Sequence, residues 1–248
     1  MTYSPLISVI TVTYNAEKVI GKTLESIKSQ NFTDYEHLVI DGASSDQTLS
    51  LVEEASMPNT MCISEPDKGL YDAMNKGLKL AKGKYVLFLN AGDAFYDSDT
   101  LQKYAREAYR DADIIYGDTL IVNNQGEVTG ERHLKAPEKL NENSFSKGML
   151  ICHQAFMAKK ELVPEYDLNY RFSADYDWCV KTINNSSSDK CVNLHTPSIR
   201  YLSDGLTDKN KMKSLKERFL IMARHFGYAT TILRHIQFVG RALKRGKL

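Results

Sequence analysis

The chain has 248 residues, 42% hydrophobic and 25% charged, and a formal net charge of +1. That is an ordinary composition for a globular protein with a sizeable core, and no run approaches the roughly 20 apolar residues of a membrane-spanning helix. The near-neutral total hides a segregation. Residues 205–248 carry eleven Lys/Arg against two Asp/Glu, a net +9, which leaves −8 on the first 204 residues.

In chain order, residues 6–13 are β-rich and apolar, suiting a strand buried on both faces. Residues 17–29 place Ile20, Leu24 and Ile27 on one helical face. A second strand over 35–41 ends on Asp41, and Asp46 is positioned to cap a helix over 47–54. A short strand over 60–64 precedes a helix marked by Leu70, Met74, Leu78 and Ala81, whose other face carries Asp72, Asn75, Lys76 and Lys79. Strands over 85–89 and 114–116 flank a helix over 100–109. This alternation predicts βαβ units and an α/β fold with a mainly parallel central sheet flanked by helices. After Asp118 the pattern changes to a hairpin around residues 123–126, a short strand near 155–157 and a helix over 174–184. Two helices over 211–226 and 230–244 follow. There is no internal repeat or low-complexity segment. Three segments are expected: 1–118, 119–207 as the second half of the same domain, and a basic helical tail over 208–248.

The four cysteines show no C-x-x-C or metal-ligand spacing and read as reduced thiols of a cytoplasmic protein. No secretory signal is expected, since no basic stretch precedes a long apolar run. Three carboxylates, Asp41, Asp93 and Asp118, fall at expected strand ends, where open α/β sheets bind ligands. Turn formation alone would also account for the Asp, Gly, Asn and Ser around them. The first strand is not followed by G-x-G-x-x-G, and no G-x-x-x-x-G-K-[ST] occurs, which excludes dinucleotide and P-loop sites. A carboxylate-rich site without phosphate-cradling glycines implies a divalent cation, Mn²⁺ or Mg²⁺, to manage phosphates.

Ile-Ser-Val-Ile-Thr-Val-Thr-Tyr-Asn at 7–15, Val-Ile-Asp-Gly-Ala-Ser-Ser-Asp-Gln-Thr at 39–48, Asn-Lys-Gly at 75–77, Gly-Lys-Tyr at 83–85 and Leu-Asn-Ala-Gly-Asp at 89–93 together resemble family 2 glycosyltransferases. Ser-Ala-Asp-Tyr-Asp-Trp at 173–178 extends the likeness, and Cys-His-Gln at 152–154 resembles the subgroup that builds bacterial surface polysaccharides. The resemblance implies the A-type nucleotide-diphospho-sugar transferase fold and metal-dependent inverting transfer from a UDP- or GDP-sugar to a glycan or lipid-linked acceptor. No nucleic-acid partner is implied.

Carried over by position, Thr11, Val12 and Tyr14 would line the nucleotide base, and Asp41 would accept a hydrogen bond from it. Asp72, Asn75, Lys76, Asn90 and Ala91 would face ribose and diphosphate, and Asp93 would ligate the metal. Asp175 would be the catalytic base, with Asp177 as its rival. His153, Gln154, Asp177 and Arg171 would meet donor sugar or acceptor, His195 would be a late metal ligand, and Asp204 and Gly205 would belong to a loop over bound donor. The chain departs from the family pattern at Gly42, where a second Asp is usual, and at Asn90 and Gly92 in the metal motif. Two alternatives remain open: a sugar-phosphate nucleotidyltransferase, and a nucleotide-sugar-binding protein without catalysis.

In the tail, Ile232, Leu233, Ile236, Val239 and Leu243 recur at helical spacing among Arg234, Arg241, Lys244, Arg245 and Lys247. A basic amphipathic helix of this kind lies on anionic lipid at the inner face of the cytoplasmic membrane, packs on the body, or forms a homodimer.

Overall fold

A computed structural model describes residues 4–203 and 211–244. The core is one nine-stranded sheet in the order β3-β2-β1-β4-β8-β6-β9-β5, with β7 paired on β6. Its first part alternates as the periodicity predicts: β1 (Ile7–Thr13), α1 (Ile20–Lys28), β2 (Tyr35–Asp41), α2 (Thr48–Ala55), β3 (Thr60–Ser64), α3 (Leu70–Leu80) and β4 (Tyr85–Phe88). β1 pairs in parallel with both β2 and β4, and β2 with β3. Every residue of β1 and β4 is buried, as befits strands covered on both faces. Successive side chains of β2 point oppositely. Val39 therefore meets Ile20, Leu24 and Val52 of α1 and α2, whereas Ile40 joins the main core on the α3 side.

Beyond β5 (Ala94–Phe95) and α4 (Thr100–Ala108), the sheet becomes mixed. β8 (Phe156–Lys159) joins β4 to β6 (Ile114–Val122) and is antiparallel to both. β6 then pairs in parallel with β9 (Cys191–Leu202) and antiparallel with β7 (Val128–Glu131). The strand expected over 114–116 and the following hairpin arm are thus one continuous β6. Asp118 lies inside that strand rather than at its end, and accepts a bond from Ala136 N at 3.2 Å. The pairing partner β9 keeps this stretch extended through register shifts on both sides of Asp118.

The helix α5 (Ala174–Asn184) coincides with its expected bounds, and α6 (Lys211–Phe226) and α7 (Tyr228–Lys244) close the described chain. α6 reaches the core through Ile221 and Met222. It also anchors α5 through His225 Nε2, 2.6 Å from Asp177 Oδ1, while within α5 Lys181 Nζ lies 2.6 Å from Asp177 Oδ2. Burial opposes the Asp177 charge, but these two partners outweigh it and hold its carboxyl below the usual range. Among the described residues, no helix is long and apolar enough to cross a membrane.

Candidate functional site

The loops that follow β1, β2 and β4 gather at one edge of the sheet. Asp41 ends β2 fully buried, and its carboxylate accepts bonds from Ser44 N (2.8 Å), Ser44 Oγ and Ser64 Oγ (2.6 Å). This closes the 41–44 turn, an Asp side chain satisfying backbone two to three residues on. Its neighbour Gly42 leaves room for another carboxylate: a Cβ there would lie 2.5 Å from Asp67 Oδ2 and 3.4 Å from the Tyr14 ring. Tyr14 is 65% exposed, so an open aromatic face and the Asp67 carboxylate share this end of the cleft. Asp67 also accepts Gly69 N at 2.7 Å, which shapes the entry to α3. Asp67 escaped the sequence reading because its only local signal is the Gly42 departure 25 residues away.

The loop after β4 is pinned from below. Thr23 Oγ1 of α1 accepts from Gly92 N (2.9 Å) and donates to Asp93 O (2.7 Å). Gly92 has φ +100°, and a Cβ there would lie 2.8 Å from Leu202, so a side chain such as the family's Asp does not fit. Asp93 is only 4% exposed, and Leu202 N donates to its Oδ1 at 2.9 Å. Burial pushes the Asp93 carboxyl up to about 7, against the opposing bonds from Leu202 N and the Gln154 amide. Asp93 therefore latches the end of β9 to the loop. Asn90 Oδ1, by contrast, is a buried acceptor with no hydrogen-bond partner. Among the described residues no three His, Cys, Asp or Glu gather as a cation cage. An orphan amide oxygen is a donor set suited to a cation whose other ligands are diphosphate oxygens and water.

The second half of the site lies where α3 meets α5. Asn75 is 5% exposed, and its amide clamps Tyr166 through both backbone groups: Tyr166 N to Oδ1 at 2.7 Å and Nδ2 to Tyr166 O at 3.0 Å. The Tyr166 ring is stacked between Tyr71 (5.6 Å) and Trp178 (5.2 Å). The Tyr71 hydroxyl donates to Asp175 Oδ1 at 3.1 Å, and Tyr176 N donates to the same oxygen at 2.9 Å. Asp175 sits half-buried in the first turn of α5, where the helix dipole favours a negative charge. His153 is 3% exposed and packed on Phe88 and Trp178. Its Nε2 meets Tyr166 Oη at 2.6 Å, and burial lowers it to about 4, so the ring is neutral at physiological pH.

Tyr14, Gly42 and Asp67 lie together beside the turn that Asp41 closes, Asp93 is tied to Gln154 and Leu202, and Asp175 is tied to α3 through Tyr71. The other expected residues have these surroundings. Thr11 is buried with its hydroxyl 2.9 Å from His37 Nε2, and Val12 is core. Asn75 turns its amide to Tyr166, His153 its Nε2 to Tyr166 Oη, and Gln154 Oε1 accepts from Cys152 Sγ. Asp177 faces α6 rather than a substrate. Asp72 accepts Lys68 N at 3.0 Å, while Lys76 folds back onto Pro66 O and Glu65, both at 2.8 Å. Ala91 packs beside α1 and α2, and Arg171 is exposed. His195 is exposed beside Glu138, in a different strand from the loop after β4. Asp204 and Gly205 lie outside the described residues.

Comparison with known proteins gives the family and the fold. The family model described as Glycosyl transferase family 2 matches residues 8–166. A PGL/p-HBAD biosynthesis glycosyltransferase of Mycobacterium bovis is 32% identical over 225 residues, covering 86% of this chain and 84% of that protein. The Escherichia coli protein WfgD, a UDP-Glc:alpha-D-GlcNAc-diphosphoundecaprenol beta-1,3-glucosyltransferase, is 26% identical over 221 residues, 88% of this chain and 85% of that one. In fold, the chain is similar to crystalline S. aureus TarS 1-349, with TM-score 0.72 and 20% identity over 94% of this chain and 72% of that one. It is also similar to glucosyl-3-phosphoglycerate synthase of Mycobacterium tuberculosis, solved with Mn²⁺ and UDP, with TM-score 0.62 and 15% identity over 89% of this chain and 80% of that one. With that family model spanning more than half of its length, and a relative 32% identical over 86% of it, the chain belongs to glycosyl transferase family 2.

Proposed function

We propose that the protein is an inverting glycosyltransferase, moving a sugar from a nucleotide-diphospho-sugar to a hydroxyl of a glycan or lipid-linked acceptor in bacterial surface-polysaccharide synthesis. The observation that carries the reading is Asp175: one oxygen is held by Tyr71 and the backbone, in a half-buried carboxylate at the first turn of α5. In the transfer, the acceptor oxygen attacks the anomeric carbon as its proton passes to Asp175 Oδ2. The bond from that carbon to the diphosphate breaks, and the diphosphate leaves with the electron pair. A single displacement needs one base, unlike a retaining glycosidase with its second carboxyl as nucleophile. Tyr14 would stack on the base. Asn90 would hold a divalent cation, Mn²⁺ or Mg²⁺, brought in with the donor, and Asp93 fixes the loop behind it. When bound, that cation supplies positive charge to the departing diphosphate.

Solved neighbours support the donor class: TarS has been crystallised with UDP-GlcNAc, and the mannosyltransferase PcManGT of Pyrobaculum calidifontis is solved with GDP-Man and Mn²⁺. Nucleotide release from UDP-glucose, UDP-N-acetylglucosamine and GDP-mannose, each with Mn²⁺ and a polyprenyl-diphosphate-linked sugar, tests the reading. Turnover of one donor that ceases on chelation is expected. Neither turnover nor thermal stabilisation with any of the three would refute it.

The lipid-linked acceptor class is supported by α7. Its Thr231, His235 and Phe238 turn toward the body, where His235 packs on Phe219 at 5.0 Å. Its apolar row faces outward instead: Ile232, Leu233, Ile236 and Val239 are 51–65% exposed. An outward apolar stripe in a segment of net +9 fits insertion at an anionic lipid surface. The double substitution Ile232→Glu and Ile236→Glu is expected to remove most co-sedimentation with phosphatidylglycerol vesicles. Unchanged sedimentation would sink the membrane assignment, and loss of a dimer in analytical ultracentrifugation would give the stripe to a second copy.

A further inference from the structure

Tyr71 has no assigned role, and its ring alone would pass as core, being 6% exposed and stacked on Tyr166. Its hydroxyl, however, leaves that stack to reach Asp175 on another helix, 104 residues further along the chain. The stack explains how this reach is held. Trp178 lies three residues after Asp175, hence on the same face of α5. Its ring is parallel to Tyr166 within 7°, and its indole N–H donates to Pro164 O at 2.9 Å. Tyr166 is in turn clamped at its backbone by Asn75, one turn along α3 from Tyr71. Tyr71, Tyr166 and Trp178 thus form a closed circuit from α3 to α5, and the Tyr71–Asp175 bond completes it.

We propose that Tyr71 is the positioning residue for the catalytic base: its hydroxyl and Tyr176 N together saturate Asp175 Oδ1, fix the carboxylate plane, and leave Oδ2 as the oxygen that takes the acceptor's proton. This rests on Asp175 being the base. Burial, and after it the Asp175 charge, raise the Tyr71 pKa well above its ordinary value, so the hydroxyl stays a donor and does not itself compete as a base. The device also joins the two substrates' sites. α3 starts at the loop that carries Asp67, beside Tyr14, so the segment that borders the nucleotide also sets the angle of the base.

The test is Tyr71→Phe, which keeps the ring and its stack while deleting the hydroxyl. Rates are taken per folded molecule, at a temperature where circular dichroism shows each variant folded. The probe is whichever of UDP-glucose, UDP-N-acetylglucosamine or GDP-mannose the wild type consumes. A positioning role predicts a fall in kcat of about 10- to 100-fold with donor KM unchanged, the usual cost of a misaligned reacting group. It also predicts that adding Tyr71→Phe to Asp175→Asn costs nothing further, because the two act as a unit. A purely structural ring predicts kcat within twofold of wild type, and that result overturns the inference while leaving Asp175 as the base. Wild-type turnover by Asp175→Asn would remove the base assignment and the inference with it.

Discussion

Asp175→Asn abolishes transfer, lowering kcat by about 10²–10⁴-fold, the usual contribution of a positioned general base. The amide keeps the size and both hydrogen-bond positions at the first turn of α5, so packing is preserved. It has no basic oxygen at neutral pH, and the acceptor proton has nowhere to go. Donor binding is expected to survive, because Tyr14, Asp67 and Asn90 lie on other loops. The check is a paired measurement: nucleotide release falls away while the donor-induced rise in melting temperature remains, since a ligand that binds only the folded state raises apparent stability. Turnover within tenfold of wild type would disprove the role. A lost thermal shift would mean that Asp175 holds the donor instead.

Asn75→Ala has the largest expected effect on stability. It strips partners from Tyr166 N and Tyr166 O, which lie at the centre of the fold with the Tyr166 residue 3% exposed. Each buried backbone group left unpaired costs about 1–3 kcal/mol, so the substitution destabilises by roughly 2–5 kcal/mol. For a chain of this size the melting temperature falls by on the order of 10 °C. Asn75→Asp does not rescue it. Its Oδ1 still accepts from Tyr166 N, but the second oxygen then faces Tyr166 O where a donor stood. A melting temperature within about 2 °C of wild type would show that water replaces the clamp. Activity should fall with stability, because a freed Tyr166 loosens the stack that aims Tyr71 at Asp175.

The contrast between Asn75 and Asp175 shows which information the chain carries locally. Asp175 was singled out by the likeness of residues 173–178 to a family motif, and the helix that carries it, α5, runs from Ala174 to Asn184 as expected. Asn75 was placed on the polar face of α3, toward ribose and diphosphate, because the apolar spacing of Leu70, Met74 and Leu78 marks only one face. In the structure α3 is covered on a second side by the Tyr166 segment, so Tyr71, Asn75 and Gly77 are buried as well. Helical periodicity identifies a buried face only when a helix has one packing partner. Position in the family pattern likewise gave no sign that the Thr11 hydroxyl meets His37 in the neighbouring strand, a partner only the sheet supplies.

By itself the sequence determined the alternation of β1 to β4 with their helices, the helix that carries Asp175, the family, and the charge of the tail. These depend on local propensity, apolar period and motif order, all of which act within a few residues. Tertiary structure alone decided that β9 fills the sheet beside β6, that Asp93 looks inward to Leu202, that Asp67 stands over Gly42, and that the apolar row of α7 points outward. Each of those depends on a partner tens of residues away, and the direction of a side chain is set by what packs against it.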